Sequence, residues 1–462
     1  MLDFFNDQNK DLLEGIQGNI LKPHGRHHTA NVFIRGDAGK QLAMKAWLRS
    51  LVDGDNAIIQ SGYAQLRSNV LWKENRIDTG LFACIHVSAA GYNYLFSNHG
   101  RSVDSSFHKG MKSADLNDPS IESWDAGLRV DNHFMLLLAS ENTGLLKASL
   151  ALIAETIQLF GSITTIEQGE VQFNDDGAGI EHFGYVDGVS QPLFFEDEWE
   201  AYKTDNNIQD PTDIKFDPRA EKELVLAPDP FINDNDPNAF GSYFVFRKLE
   251  QNVRGFKQAE SDLAHQLGLK GNDKERAGAM LVGRFEDGTP IQLNDEDGAV
   301  NSAVLNNFDY NTADASKCPF HAHIRKTNPR SGLDGGMEEA KKHIMARRGI
   351  PYGTRADDPN DGQIMNKPER GVGLLFMSYQ ASISNQFEFI QKTWANNPTS
   401  HLNPNEFDGL DPVIGQGGSK YATKWGDSGT LKNAGFGQFV HMKGGDYFFA
   451  PSMSFLKNID TI

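Results

Sequence analysis

Apolar residues follow two recurring patterns along this chain. Short continuous apolar runs predict buried strands at Ala30–Arg35 (ANVFIR), Phe134–Ala139 (FMLLLA), Ser242–Phe246 (SYFVF) and Gly373–Met377 (GLLFM). Apolar residues three and four apart predict amphipathic helices at Gln41–Leu51, Gly144–Ile157, Ala259–Leu267 and Ala381–Trp394. The order strand, helix, later strand, helix occurs once in the first 200 residues and again after residue 240. Each set reads as a split β-α-β unit of the ferredoxin-like kind, which makes the chain α+β. Two such sheets could pack face to face around a shared core.

Turn-forming residues divide the halves. Asp197–Asp217 and the denser Asp229–Asn238 (DPFINDNDPN) read as surface loops and a boundary. The expected layout is an N-terminal half over 1–200, connecting loops over 201–240, and a C-terminal half over 241–462. Arg355–Gly362 and Asn396–Gly409 also read as loops, and Gly415–Gly418 (GQGG) as a flexible one.

Composition narrows the function classes. The 462 residues carry 44 Lys+Arg against 62 Asp+Glu, a net charge of −18, which works against nucleic-acid binding. With 39% hydrophobic and 23% charged residues, the chain has enough apolar side chains to bury a core, so it is not a disordered chain. No apolar run approaches the ~18–20 residues of a membrane span. Two cysteines, Cys84 and Cys318, supply neither a disulfide framework nor a four-thiolate zinc site. The start, MLDFFND, lacks the basic and apolar regions of a secretory leader, so a reduced, cytoplasmic protein is expected.

Walker loops, HExxH helices, nucleophile elbows and paired CxxC motifs are absent. Three segments carry candidate chemistry. In Phe183–Pro192 (FGYVDGVSQP), Gly184 and Gly188 let the backbone bend around Asp187 and approach a ligand closely. Asp187 is either a general base or metal ligand, or a turn aspartate bonded to its own backbone. In Lys317–Arg330 (KCPFHAHIRKTNPR), His321 and His323 precede Arg325, Lys326 and Arg330. A neutral imidazole can bind iron or zinc, and the cations suit carboxylates; the alternative is a solvated basic loop. In Ile344–Gly353 (IMARRGIPYG), Arg347 and Arg348 either stabilise developing negative charge or cap a helix end before Gly349.

Taken together and in order, these segments resemble the dye-decolorizing peroxidases, a family of haem enzymes. Gly184-Tyr185-Val186-Asp187-Gly188 resembles the GxxDG motif. The run from His323 to Arg330 resembles the segment with the proximal haem ligand, and Arg347 to Gly353 the distal arginine segment. Gln17–Lys22, Ser242–Val253, Gly373–Gln380 and Gly444–Ser452 extend the similarity from about residue 17 to about residue 456.

The resemblance implies a pair of ferredoxin-like halves of the dimeric α+β barrel type, with one haem b per chain between sheet and helices. It implies a peroxidase that reduces hydrogen peroxide and oxidises dyes and phenolic compounds in one-electron steps through an oxoferryl intermediate. His323 would ligate the iron, with His321 as second choice. Asp187 would be the distal acid and Arg347 the distal arginine, with Arg348 as the neighbouring alternative. Arg330 would contact a propionate, Leu374 and Phe376 would line the distal pocket, and Glu388 or Asn385 would hydrogen-bond His323. Trp394, Tyr379 and Tyr352 are candidate surface relays for bulky dyes. A carboxylic acid ordinarily titrates near ~3.9, so activity is expected below the usual histidine value of ~6.5. Expected partners are hydrogen peroxide and aromatic or dye reductants, with no nucleic acid and no membrane; a homo-oligomer is compatible with the sequence. A haem-binding or haem-transfer protein with incidental peroxidase activity is the alternative, and a zinc hydrolase using both histidines is a third reading.

Overall fold

Strands from both halves hydrogen-bond into one sheet. The computed structural model describes residues 1–96, 104–232, 236–298, 305–311, 315–359, 361–399, 407–425, 432–433 and 435–462. Parts of three expected loops, at 233–235, 360 and 400–406, lie outside these residues. In the first half, β1 (His28–Gly36), β2 (Phe82–Ser88), β3 (Phe134–Ser140) and β4 (Gly161–Glu170) pair antiparallel in the order β2-β3-β1-β4. The second half supplies β5 (Phe240–Gln251), β6 (Ala346–Arg347), β7 (Ile350–Tyr352), β8 (Gly373–Gln380) and β9 (Val440–Ala450). Their order is β7-β8-β5-β9, with β6 also paired to β8.

The two sheets do not stack face to face. They join edge to edge where β9 meets β2, through Phe448↔Ser88 and Phe449↔Val87. The joined sheet then curls until its outer strands touch: a Cβ built on Gly169 of β4 would lie 2.5 Å from Ile350 Cγ2 of β7. Edge joining satisfies backbone groups that two separate sheets would leave open.

Curling gives the sheet an inside and an outside, and both are apolar. Phe33, Leu137, Phe244, Phe246, Met377 and Phe448 fill the inside. Val32, Ile85, Leu136, Val245 and Phe449 face outward toward a layer of helices. Strands buried on both faces read as continuous apolar runs, which is why FMLLLA was legible. β4 (GSITTIEQGE) is too polar for that signal.

The helices form near their expected places, at Gln41–Ser50, Thr143–Ile157 and Val253–Leu267. The last starts six residues early because Asn252 caps it, accepting the Gly255 N–H at 2.9 Å. Two expectations need correction. Glu196–Asp205 is a helix that takes up the first part of the stretch Asp197–Asp217 read as loop; three acids in its first turn suit the positive end of the helix dipole, and Tyr202 anchors it. The helix expected at Ala381–Trp394 is wound as two wide π-type turns, Ile383–Phe387 and Ile390–Ala395. Among the described residues no helix is long and apolar enough to cross a membrane.

Phe33 of the first half meets Phe246 of the second inside the curl, ring centroids 4.8 Å apart. Phe33→Ala is expected to cost about 3–5 kcal/mol. Leu42→Ala, at an exposed helix position, should cost no more than about 0.5 kcal/mol. Guanidinium unfolding midpoints check this, and equal midpoints for the two variants would remove the inner face as a shared core.

Candidate active site

A cavity of about 550 Å³ opens on the outer face of β5 and β8, beneath the loops and short helices of the second half. Leu374 and Phe376 of β8 and Leu249 of β5 form its apolar floor, and Phe387, Ile390, Val413 and Ile414 close it from above. Asp187, His323, Arg330 and Arg347 all line it. Segments spread over some 160 residues of sequence thus converge on one space.

The loop bearing Asp187 turns at two glycines with left-handed backbones, Gly184 at φ +100° and Gly188 at φ +79°. The Asp187 N–H donates to Gly179 O at 3.1 Å, and Oδ1 accepts the Gly188 N–H at 2.6 Å. Oδ2 takes no hydrogen bond from the described residues, and the side chain is exposed to the cavity. Glu181 braces the same turn, accepting the N–H groups of Phe183 and Tyr185 at 2.9 and 3.0 Å. Burial raises its pKa to about 7. Behind the loop, Tyr185 donates to Glu260 at 2.7 Å. Glu260, Glu275 and Glu286 gather there, with Lys257 bonded to Glu260 and Glu286 as their counter-ion.

The adjacent arginines have separate surroundings. Arg347 lines the cavity, donates from Nη2 to Val189 O at 2.5 Å, and receives Gln191 Oε1 on its backbone N–H at 3.1 Å. It is therefore strapped to the Asp187 loop. Arg348 is buried, and carbonyls take up its guanidinium: Asn19 O at 2.7 Å, Ile20 O at 2.8 Å and Arg347 O at 2.7 Å. Burial lowers its pKa to about 10.

His323 opens the short helix His323–Thr327, and its Nδ1 lies 2.8 Å from Asp411 Oδ2. Asp411 is wholly buried, and its Oδ1 accepts the N–H groups of Val413 and Ile414 at 2.8 and 3.0 Å. Gly415 seals the turn, since a Cβ there would lie 2.4 Å from Asp411 O; the GQGG segment is thus packed at its first residue. With Nδ1 committed, Nε2 is the ring nitrogen left to take a ligand. His321 does not join it. It is buried against Trp425, ring centroids 4.3 Å apart, and burial lowers its pKa to about 3. The two histidines therefore do not converge on one ion.

Glu388 and Asn385 are not the partners of His323. The Glu388 carboxylate accepts from Ser106 Oγ, Tyr447 OH and Lys392 Nζ at 2.9, 2.9 and 3.0 Å. Asn385 offers its carbonyl to His343 Nδ1 at 2.6 Å. The wide turns of this segment change the angle between successive side chains, so a face assigned on α-helical spacing points elsewhere. Asp411 carries no periodic signal of its own, and only tertiary closure brings it to His323. Trp394, Tyr379 and Tyr352 are also corrected: all three are buried, so none is a surface relay.

One end of the cavity is cationic. Arg330 is almost wholly buried, with its guanidinium carbon 3.7 Å from the Phe308 ring centre and 4.0 Å from that of Phe216. It donates to Asn306 O, Asn306 Oδ1 and Phe308 O, yet its buried Nε has no partner among the described residues. Arg284, which sequence reasoning missed, donates to Gly288 O, Leu305 O and Asn306 Oδ1, and burial lowers its pKa to about 10. Neither has a carboxylate within salt-bridge distance among the described residues. Buried cations without counter-ions call for an anionic ligand. An apolar cavity with an imidazole on its wall and two such arginines fits a haem: His323 would hold the iron and Arg330 and Arg284 the propionates.

Comparison with known proteins places the chain among relatives. The family described as Dyp-type peroxidase, C-terminal, matches residues 210–408. Multifunctional dye peroxidase DyP2 of an Amycolatopsis species is 43% identical, over 97% of this chain and 96% of its own. Dye-decolorizing peroxidase AauDyP1 of Auricularia auricula-judae is 33% identical, over 78% of this chain and 74% of its own. The crystal structure of the Anabaena DyP-type peroxidase superposes with a TM-score of 0.88 at 36% identity, covering 99% of this chain and 97% of that one. By whole-chain similarity in both sequence and structure, the chain belongs to the dye-decolorizing peroxidase family.

Proposed function

We propose that His323, Asp187 and Arg347 carry the peroxidase reaction of this family on one haem b, with dyes and phenolic compounds as reductants. The family's members are haem enzymes that use hydrogen peroxide to oxidise dyes. When bound, the haem supplies a redox-active iron at which peroxide is reduced and reductants are oxidised.

The side chains of this chain have distinct tasks. Asp411 fixes the His323 tautomer and orientation, so that Nε2 presents its lone pair to the cavity as the iron ligand. A buried carboxylate on Nδ1–H also increases the electron density of the ring. Asp187 Oδ2, free of donors among the described residues, accepts the proton that peroxide must lose. Arg347 stabilises the negative charge that gathers on the departing oxygen, and its bond to Val189 O holds it beside the Asp187 loop without reorientation. Arg330 and Arg284 receive the propionates. Leu374 and Phe376 would keep water from the cavity that the haem would fill. The observation that carries this reading is the 2.8 Å His323–Asp411 pair on the wall of an apolar cavity. The unpaired, buried thiols of Cys84 and Cys318 are consistent with a reducing compartment such as the cytoplasm.

Titration with haem should give a Soret band, and peroxide should change it within the mixing time. Asp187→Asn should keep the band and slow its change about 10²–10⁴-fold. Arg347→Leu should slow it about 10²–10³-fold. Rapid-mixing absorbance measures both, and undiminished rates would remove these residues from the reaction. Asp411→Asn should raise the reduction potential of the bound iron by weakening the histidine's donation, while Glu388→Gln should leave it unchanged. Spectroelectrochemistry decides, and the reverse pattern would reinstate Glu388.

A further inference from the structure

The inner side of the curled sheet holds a buried polar group that the peroxidase reading does not use. Cys84 and His86 of β2 meet Tyr379 of β8 there, and all three are wholly buried. The Tyr379 hydroxyl lies 2.8 Å from His86 Nε2 and 3.7 Å from Cys84 Sγ. His86 Nδ1 lies 3.2 Å from Met135 O. A carbonyl only accepts, so Nδ1 carries the ring proton and Nε2 accepts from the phenol. Burial supports this assignment, pushing His86 down to about 3 and the Cys84 thiol up to about 12. Phe244 stacks on the imidazole, ring centroids 4.0 Å apart, and fixes its orientation.

Out of contact with water, these groups cannot exchange protons with solvent. A phenol hydrogen-bonded to a neutral imidazole is instead suited to one-electron oxidation. The phenol radical cation is a strong acid, so a base already bonded to the oxygen lets the proton leave with the electron. The position suits that role. Tyr379 follows Met377 on the inner face of β8, opposite Leu374 and Phe376, about 7 Å along the strand, and both Met377 and Arg348 border the cavity. Tyr379 also pairs across the ladder with Ala346, the neighbour of Arg347.

We propose that Tyr379, His86 and Cys84 form an internal electron-donor chain that drains oxidising equivalents from the cavity when no reductant is at hand. The proposal rests on the peroxidase reading, since hydrogen peroxide is the oxidant. In the first step Tyr379 gives one electron to the deficit that peroxide leaves in the cavity, and its phenolic proton moves to His86 Nε2. The products are a neutral tyrosyl radical and an imidazolium. In the second step the Cys84 S–H bond breaks and its hydrogen atom passes to the Tyr379 oxygen. This restores the phenol and leaves a sulfur-centred radical. The two bonds are of similar homolytic strength, so the second step shares the radical between the two residues.

The test uses the haem-loaded full chain with ring-deuterated tyrosine, one equivalent of hydrogen peroxide and no reductant. Samples frozen at successive times are read by electron paramagnetic resonance, with absorbance recorded in parallel. The expected result is a deuterium-sensitive tyrosyl signal that Tyr379→Phe abolishes and that lasts several-fold longer in Cys84→Ala. An optical response to peroxide with a signal unchanged in Tyr379→Phe, or with an unchanged lifetime in Cys84→Ala, overturns the donor chain alone. No optical response in the unsubstituted protein overturns the peroxidase reading and the donor chain with it. Because Cys84→Ala is read by persistence of the signal, it keeps the proposal open to refutation even if Tyr379→Phe fails to fold.

Discussion

The hydrogen bond between His323 Nδ1 and the buried carboxylate of Asp411 is the constraint on which the site depends. Asp411 lies in a turn closed by the Val413 and Ile414 N–H groups and sealed by Gly415. That turn is therefore rigid before any ligand arrives. Once it claims Nδ1, only one nitrogen of His323 can serve a metal, and its direction is set by the turn rather than by the five-residue helix that carries it. An imidazole on so short a helix would otherwise be free to rotate. The same bond places a negative charge next to the ring in a low-dielectric setting, where it affects the ring's donor strength most.

Around the same cavity, the chain uses arginine in three physically different ways. Arg348 is a strut: its guanidinium binds carbonyls of Asn19 and Ile20 and ties the first half to the strand pair β6–β8. Arg347, one residue earlier at the end of β6, keeps its charge in the cavity. Arg284 and Arg330 share the side chain of Asn306 and stack on aromatic rings, which makes burial tolerable, and among the described residues neither has a carboxylate at salt-bridge distance. Different partners separate the first two roles, Val189 O for Arg347 and the Asn19 and Ile20 carbonyls for Arg348, and the want of a nearby carboxylate among the described residues defines the third.

Much of this arrangement was legible in the sequence because it follows from local chemistry. Runs such as FMLLLA announce strands buried on both faces, and glycines flanking Asp187 announce a tight turn. The segments around His323, Arg330 and Arg347 lie in the order that the resemblance implied. What failed to show was what only tertiary structure decides. Edge-to-edge joining of β9 with β2 depends on curl, not on composition. Asp411 lies in a turn closed by Val413 and Ile414, with no periodic neighbours in sequence to mark it. Glu388 misled because apolar spacing in ASISNQFEFIQKTW fits an α-helix, whereas the backbone takes wider turns. Tyr379 and Trp394 misled because an aromatic near a motif says nothing about its distance from the surface.

The central claim is that one imidazole, that of His323, ligates the iron. The iron–nitrogen stretching mode of the ferrous, haem-loaded protein, identified by its shift between iron isotopes in resonance Raman spectra, tests this most directly. The account predicts that the mode is present in the unsubstituted chain, persists in His321→Ala and is lost in His323→Ala. A mode that survives His323→Ala, or vanishes with His321→Ala alone, would contradict it.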